Sequence, residues 1–250
     1  MPSISAARDV GVQSWSFREF KTPEALCAKL KEVGVTATEV CGVQADFNDP
    51  AKHDAPIAIF KKEGQRVFSI GVQTFTGNAA VEKQWFEFAK KAGAKYISAH
   101  FKIDSFRDAI KVASGLSEVY GIKLALHCHG GYMFGGSLDE ITYISELGGD
   151  YVGVNIDTAW CMQAGNANPT EWAKKLGKKV YGTHYKDFLW DKNGKWSETV
   201  IGEGSLDLPT YVKTLEDIGF SGFAVIEYEA DPKDPAPAII RCLQAIKAVA

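Results

Sequence analysis

The feature that most constrains this chain is a rhythm: eight short apolar runs alternate with eight longer amphipathic segments. The short runs cover residues 10–14, 36–41, 66–73, 96–100, 123–127, 151–157, 179–184 and 222–227. Each has the length of a strand buried on both faces. The longer segments, 22–33, 54–63, 78–92, 104–120, 137–147, 168–176, 207–218 and 235–249, read as helices. Leu26, Leu30 and Val33 share one face of the first, and Val81, Trp85, Phe88, Ala89 and Ala92 one stripe of the third. Thr22-Pro23 has the form of a helix cap followed by an N-terminal proline. Ser137 and Glu140 have the spacing of a capping box. Gly34, Gly64, Gly93, Gly121, Gly148 and Gly219 follow helices, where a departing chain often turns left-handed.

Eight βα units in 250 residues fit one (β/α)8 barrel. A doubly wound open sheet usually has fewer strands and a Gly-rich first turn. Here that turn reads Gln13-Ser14-Trp15-Ser16-Phe17, with no GxGxxG. No Pro- or Ser-rich linker interrupts the alternation. The expectation is a single (β/α)8 TIM barrel, one domain over residues 1–250. A chain this long buries about 70–75% of its unfolded surface and needs no covalent staple.

Charge and cysteine usage narrow the function classes. Lys plus Arg number 28 against 31 Asp plus Glu, a net charge of −3. Basic pairs (Lys61-Lys62, Lys90-Lys91, Lys178-Lys179) are scattered at helix ends, which argues against nucleic acid as a partner. No run approaches the roughly 18–20 apolar residues of a membrane span. The five cysteines show no CxxC spacing, and residues 1–8 lack the pattern of a secretory leader. A cytoplasmic location is expected, although a leader removed earlier would leave no trace.

In such a barrel the active site lies at the C-terminal ends of the strands. Those ends carry Gln13 and Ser14, then Trp15; Glu39 and Cys41; Gln73 and Thr74; His100, then Phe101 and Lys102; and His127-Cys128-His129. Asp157 ends the sixth strand, His184 the seventh with Lys186 and Asp187 beyond, and Glu227 the eighth with Glu229 beyond. Four of the five histidines fall here; His53 does not. A carboxylate closing an apolar run is costly to bury unless paired or metal-bound. Two imidazoles and two carboxylates from strands five to eight would converge above the barrel. That mixture suits Mn, Co, Zn, Fe or Ni better than Ca or Mg.

Each residue also has a plainer reading. Asp157 could simply cap a helix, His100 could be a hydrogen-bonded core residue, and Lys186 with Asp187 a surface ion pair. His127 and His129 share a face only if the strand continues past His127. If it ends there, the direction of His129 is open and Cys128 is buried packing. Trp15, Phe17, Tyr132, Phe134, Trp160 and Trp190 all follow strand ends. They could wall a sugar pocket or pack loops onto the rim.

The strand ends Ala125-Leu126-His127-Cys128-His129, Val154-Asn155-Ile156-Asp157-Thr158, Thr183-His184-Tyr185-Lys186-Asp187 and Ile226-Glu227-Tyr228-Glu229 resemble those of the xylose isomerase-like TIM barrels. This is the sugar phosphate isomerase/epimerase group, also called AP endonuclease family 2. Gly202-Glu203-Gly204-Ser205-Leu206-Asp207-Leu208-Pro209 is similar to the segment before that group's last barrel helix. The likeness runs through nearly the whole chain. It implies a divalent metal held by His127, Asp157, His184 and Glu227. The fifth strand departs from the usual pattern, with His127 in place of Glu. The resulting HxH resembles a subset with inosose dehydratase and keto-sugar lyase or hydratase members. Since that Glu often moves the proton, the acid/base role passes to His129, His100, Glu229 or Lys186.

The resemblance implies proton abstraction beside a carbonyl, through an enediolate, on a small sugar or keto-sugar. Return of the proton gives isomerisation or epimerisation, whereas departure of a β-group gives lyase or dehydratase chemistry. Trp15, Glu39, Gln73, Lys102 and Trp160 are the candidate substrate-binding residues. With only Lys102 and Lys186 as main cations, the expectation tilts towards an unphosphorylated sugar. The rivals are a DNA-repair nuclease, which the charge argues against, and a non-catalytic barrel subunit. Homo-oligomer formation is left open.

Overall fold

The computed structural model describes Ser5, residues 7–131 and residues 133–249. The barrel begins with β1 (Val10–Gln13), β2 (Ala37–Val40), β3 (Arg66–Phe75) and β4 (Tyr96–Phe101). It continues with β5 (Lys123–His127), β6 (Val152–Asp157) and β7 (Val180–Tyr185). A two-stranded antiparallel hairpin, β8 (Asp187–Trp190) and β9 (Trp196–Thr199), follows β7 and stands outside the ladder. The last barrel strand is β10 (Phe223–Ile226), which pairs in parallel with both β7 and β1 and closes the ring. The expected (β/α)8 TIM barrel is therefore the fold. Strands β2, β6, β7 and β10 are buried at every position, which is why none of them shows the apolar/exposed-polar alternation of a half-buried strand.

The helices α1 (Pro23–Glu32), α2 (Asp54–Lys62), α3 (Ala79–Ala92), α4 (Phe106–Tyr120), α5 (Leu138–Leu147), α6 (Thr158–Ala164), α7 (Pro169–Leu176), α8 (Leu208–Asp217) and α9 (Ala236–Ala248) surround the strands. Thr22 caps α1, its hydroxyl accepting from the Ala25 N–H at 3.2 Å with Pro23 beside it. Two local expectations are corrected. The Ser137 hydroxyl accepts from the Glu140 N–H, but the Glu140 carboxylate takes the N–H groups of Gly135 and Gly136 instead of closing a capping box. After α5 the left-handed residue is Gly149 (φ 54°), not Gly148 (φ −91°), because a short 3-10 turn is inserted there.

Two elements had no counterpart in the sequence reading. Helix α6 starts directly on Asp157 and is only seven residues long, too short to show a helical period. The hairpin is anchored by Asp187, which is buried and accepts the N–H groups of Gly202, Gly204, Ser205 and Leu206 at 2.9–3.1 Å. Lys186 is buried too. The reading of Lys186 and Asp187 as a surface ion pair is thus overturned: each faces its own partners inside the fold.

The main core lies between strands and helices. A separate cluster of Ala125, Tyr181, Phe223 and Val225, with Phe68 and Tyr96 against it, fills the barrel at the N-terminal ends of its strands. Above that plug the lumen turns polar, with the Asn155 amide donating to the Ser98 hydroxyl at 2.9 Å. All five cysteines are free and buried. No helix among the described residues is long and apolar enough to cross a membrane.

Candidate metal centre

The polar lumen opens into a cluster at the C-terminal rim. His127 ends β5, Asp157 ends β6, His184 lies near the end of β7 and Glu227 directly follows β10. Side-chain ligand atoms of all four lie within 4.8 Å of one another, and all four residues are buried. Asp157 reconciles its two readings. One carboxylate oxygen caps α6 by accepting from the Trp160 N–H at 2.9 Å, while the other, Oδ2, has no hydrogen-bond partner among the described residues. Both ring nitrogens of His127 are likewise unpartnered there. Unmade hydrogen bonds at buried polar atoms cost about 1–3 kcal/mol each. A divalent cation would satisfy these atoms at once, and the N/O donor set fits Mn, Co, Zn, Fe or Ni.

Burial and the neighbouring charges set the ionisation of the four groups. Burial lowers the pKa of His127 well below its ordinary value, and the charge on His184 adds to the effect, so its nitrogens are neutral donors. His184 behaves oppositely. Burial works against its charge, but the Glu39 and Glu227 carboxylates outweigh it and raise the pKa to about 10. Burial raises Asp157 to about 7 despite Lys186. Glu227 is held well below its usual range, because Lys186 and His184 override the cost of burial. The His184 ring spans two carboxylates: Nδ1 lies 3.3 Å from Glu227 and Nε2 3.1 Å from Glu39. Glu39 also accepts from Gln13 and Ser69, so it sits beneath the cluster and fixes the ring that faces it.

A family profile described as xylose isomerase-like TIM barrel matches residues 4–247. The chain belongs to the xylose isomerase-like TIM barrel family. An inosose isomerase of Bacillus subtilis is 26% identical over 188 residues, covering 72% of this chain and 62% of that protein. The chain spans between 40 and 62% of the length of the first curated relatives it matches. Among solved structures, a 3-keto-D-glucoside 4-epimerase from E. coli superposes with a TM-score of 0.74 at 17% identity, covering 96% of this chain and 98% of that one. A xylose isomerase domain protein from Planctomyces limnophilus gives 0.71 at 21% identity, covering 88% and 89%. These two likenesses are of fold.

In this member of the xylose isomerase-like family, a cleft of about 530 Å³ opens over the cluster. Trp15, Thr74, His100, His127, His129, Glu227 and Glu229 are among its walls. Strand β5 ends at His127, yet His129 still turns into the cleft, its ring against Trp160 at 4.1 Å. Burial and the neighbouring His127 push His100 down to about 2, so it stays neutral. Glu229 accepts from the Trp15 indole N–H at 2.6 Å and pairs with Lys186. Lys186 also lies 3.2 Å from Glu198 and 3.6 Å from Glu227. Burial opposes its charge, but these carboxylates outweigh it and raise its pKa, which keeps the ammonium protonated.

Other sequence candidates lie elsewhere. Lys102 is exposed and paired with Asp104 at 3.2 Å. The register of β3 shifts between Ile70 and Gln73, and Gly71, Val72 and Thr74 line the cleft in place of Gln73. Phe17 is buried and Phe134 packs on Phe106, so both hold loops to the barrel. Tyr132 lies outside the described residues. Glu198 on β9 was missed altogether. It is half-buried beside Lys186, and the loss of water around its carboxyl raises it to about 7 against the pull of that ammonium. Its only signal was the Asn193-Gly194 pair, a hairpin turn sequence.

Proposed function

We propose that this protein is a divalent-metal-dependent enzyme that isomerises or epimerises a ketose or keto-sugar by removing the proton beside its carbonyl, through an enediolate. The observation that carries the reading is the buried His127, Asp157, His184 and Glu227 cluster with its unpartnered nitrogen and oxygen atoms. The names of relatives, inosose isomerase and D-psicose 3-epimerase, support the same class of reaction. A bound cation would polarise the carbonyl and its neighbouring hydroxyl.

The chain's own residues supply the rest. His129 takes the proton, since it faces the cleft beside the cluster and its ring nitrogens make no hydrogen bond among the described residues. His100, neutral and beside it, orients the substrate. Lys186 stays protonated and stabilises developing negative charge, and so does not serve as the base. Glu229, fixed by Trp15 and Lys186, binds a hydroxyl. Trp15 and Trp160 flank the sugar ring.

The place of Glu198, in the compartment that adjoins the cleft at Glu229, favours a lyase outcome as the second reading. Glu198, raised to about 7, can hold a proton at neutral pH for a departing oxygen. The free buried thiols support a cytoplasmic location.

Elemental analysis of the wild type beside Asp157→Ala and Glu227→Ala tests the reading. Near-stoichiometric Mn, Co, Zn, Fe or Ni in the wild type, lost in both variants, is expected. The loaded enzyme should then exchange the α-proton of ketoses in D2O, and His129→Ala should slow that exchange by about 10²–10⁴ while keeping the metal. A wild type that holds no metal even after reloading overturns the reading.

A further inference from the structure

Beyond the cleft over the cluster lies a second compartment of about 300 Å³, lined by Trp160, Lys186, Phe188, Trp196, Glu198 and Glu229. The two meet at Glu229, which lines both. The hairpin builds its outer wall, for Phe188 stands on β8 and Trp196 and Glu198 on β9.

Its aromatic side chains are pre-arranged. Phe188 and Trp196 stack with centroids 4.3 Å apart and planes 16° from parallel. Trp160 meets both edge-on, at 5.3 and 5.4 Å, and its ring continues to His129 at 4.1 Å. A run of rings therefore leads from the metal cluster outward to the hairpin. Trp196 remains 37% exposed although one face is covered by Phe188. Water disfavours an indole held open in this way, and a flat apolar ligand face would cover it.

The polar groups specify the ligand further. Glu198 and Glu229 offer acceptors, and Lys186 between them offers a donor. Glu229 alone already offsets the one ammonium, so the compartment has no net positive charge to hold a phosphate or carboxylate ligand. An apolar ring face edged with hydroxyls is the chemistry of an uncharged sugar ring, and an aryl ring would use the stacking alone. We propose that this compartment is a second ring-binding subsite, so that the protein takes a sugar joined to a second ring, an uncharged glycoside, rather than a free monosaccharide. The linking oxygen would lie near Glu229, where the compartments join. The proposal rests on the reading of the metal cleft only for the seat of the first ring.

Calorimetric titration of the purified protein with paired probes tests this: methyl β-D-glucoside, β-D-galactoside and β-D-mannoside against cellobiose and the matching 4-nitrophenyl glycosides. At least one two-ring probe is expected to bind about tenfold tighter than its one-ring counterpart, the scale of one covered aromatic face. Trp196→Ala should erase that preference and leave one-ring binding and metal content unchanged. Glu198→Gln should weaken cellobiose more than the 4-nitrophenyl probe, a difference that a folding defect would not produce. Equal binding of every pair, no binding of any two-ring probe, or a preference that survives Trp196→Ala overturns the proposal. The two readings fail separately. A two-ring preference in a protein without metal leaves the subsite standing and removes the metal reading, whereas metal without the preference does the reverse.

Discussion

Glu39 lies one layer below the cluster, with its carboxylate shared by Gln13, Ser69 and His184. A carboxylate behind a ligating imidazole fixes the tautomer and strengthens the outward nitrogen as a donor. Glu39→Gln keeps the volume and one acceptor but loses the charge. Metal affinity, measured by chelator competition, is expected to fall by about 10–100-fold with the fold intact. At this scale the sequence was legible wherever one residue had one direction to point. His127, Asp157, His184 and Glu227 could be placed from their strand ends. The depth of Glu39 could not, because strand ends show which rim a residue is near and not which layer its atoms reach. Likewise, nothing in Lys186 itself announces the carboxylates at 198, 227 and 229 that surround it, since two of them arrive from distant elements.

The hairpin depends on Asp187. Four backbone N–H groups from the segment before α8 converge on its carboxylate, and Gly204 lies so close that any side chain there would collide with it. Replacing Asp187 with Ala strands those donors. A loss of about 3 kcal/mol is expected from the urea midpoint, with Asp187→Asn recovering part of it through its remaining acceptor. The hairpin was poorly legible for a physical reason. Strands of four residues whose outer member is mostly polar show no alternation, and they are held by the stacking of Phe188 on Trp196 and by Asp187. The barrel strands were legible because burial on both faces keeps them largely apolar, with their polar residues gathered towards the C-terminal rim. Helix boundaries agreed to within a residue or two where Thr22, Asn78, Asn168 and Asp207 accept from first-turn N–H groups.

Across the whole molecule, stability and chemistry sit at opposite ends of the lumen. Phe223, Tyr181 and their neighbours plug the N-terminal end, whereas the cluster and both compartments lie at the C-terminal end. Phe223→Ala should therefore cost about 3–5 kcal/mol in urea unfolding and leave metal content per folded molecule unchanged. The ring closure itself followed from counting βα units. The shift in β3 that exchanges Gln73 for Val72 and Thr74 is a property of strand pairing, and no local sequence pattern encodes it.

The five buried thiols have a consequence of their own. Burial pushes Cys27 up to about 11 and Cys242 to about 12, and raises Cys41, Cys128 and Cys161 as well. Thiolate is the form that electrophiles and peroxides attack. The folded chain is thus nearly inert to them, and its rate of alkylation becomes a clock for how often the barrel opens. Cys41, alone of the five in lining the cleft, would tick at the pace of the rim, and the other four at the pace of the core.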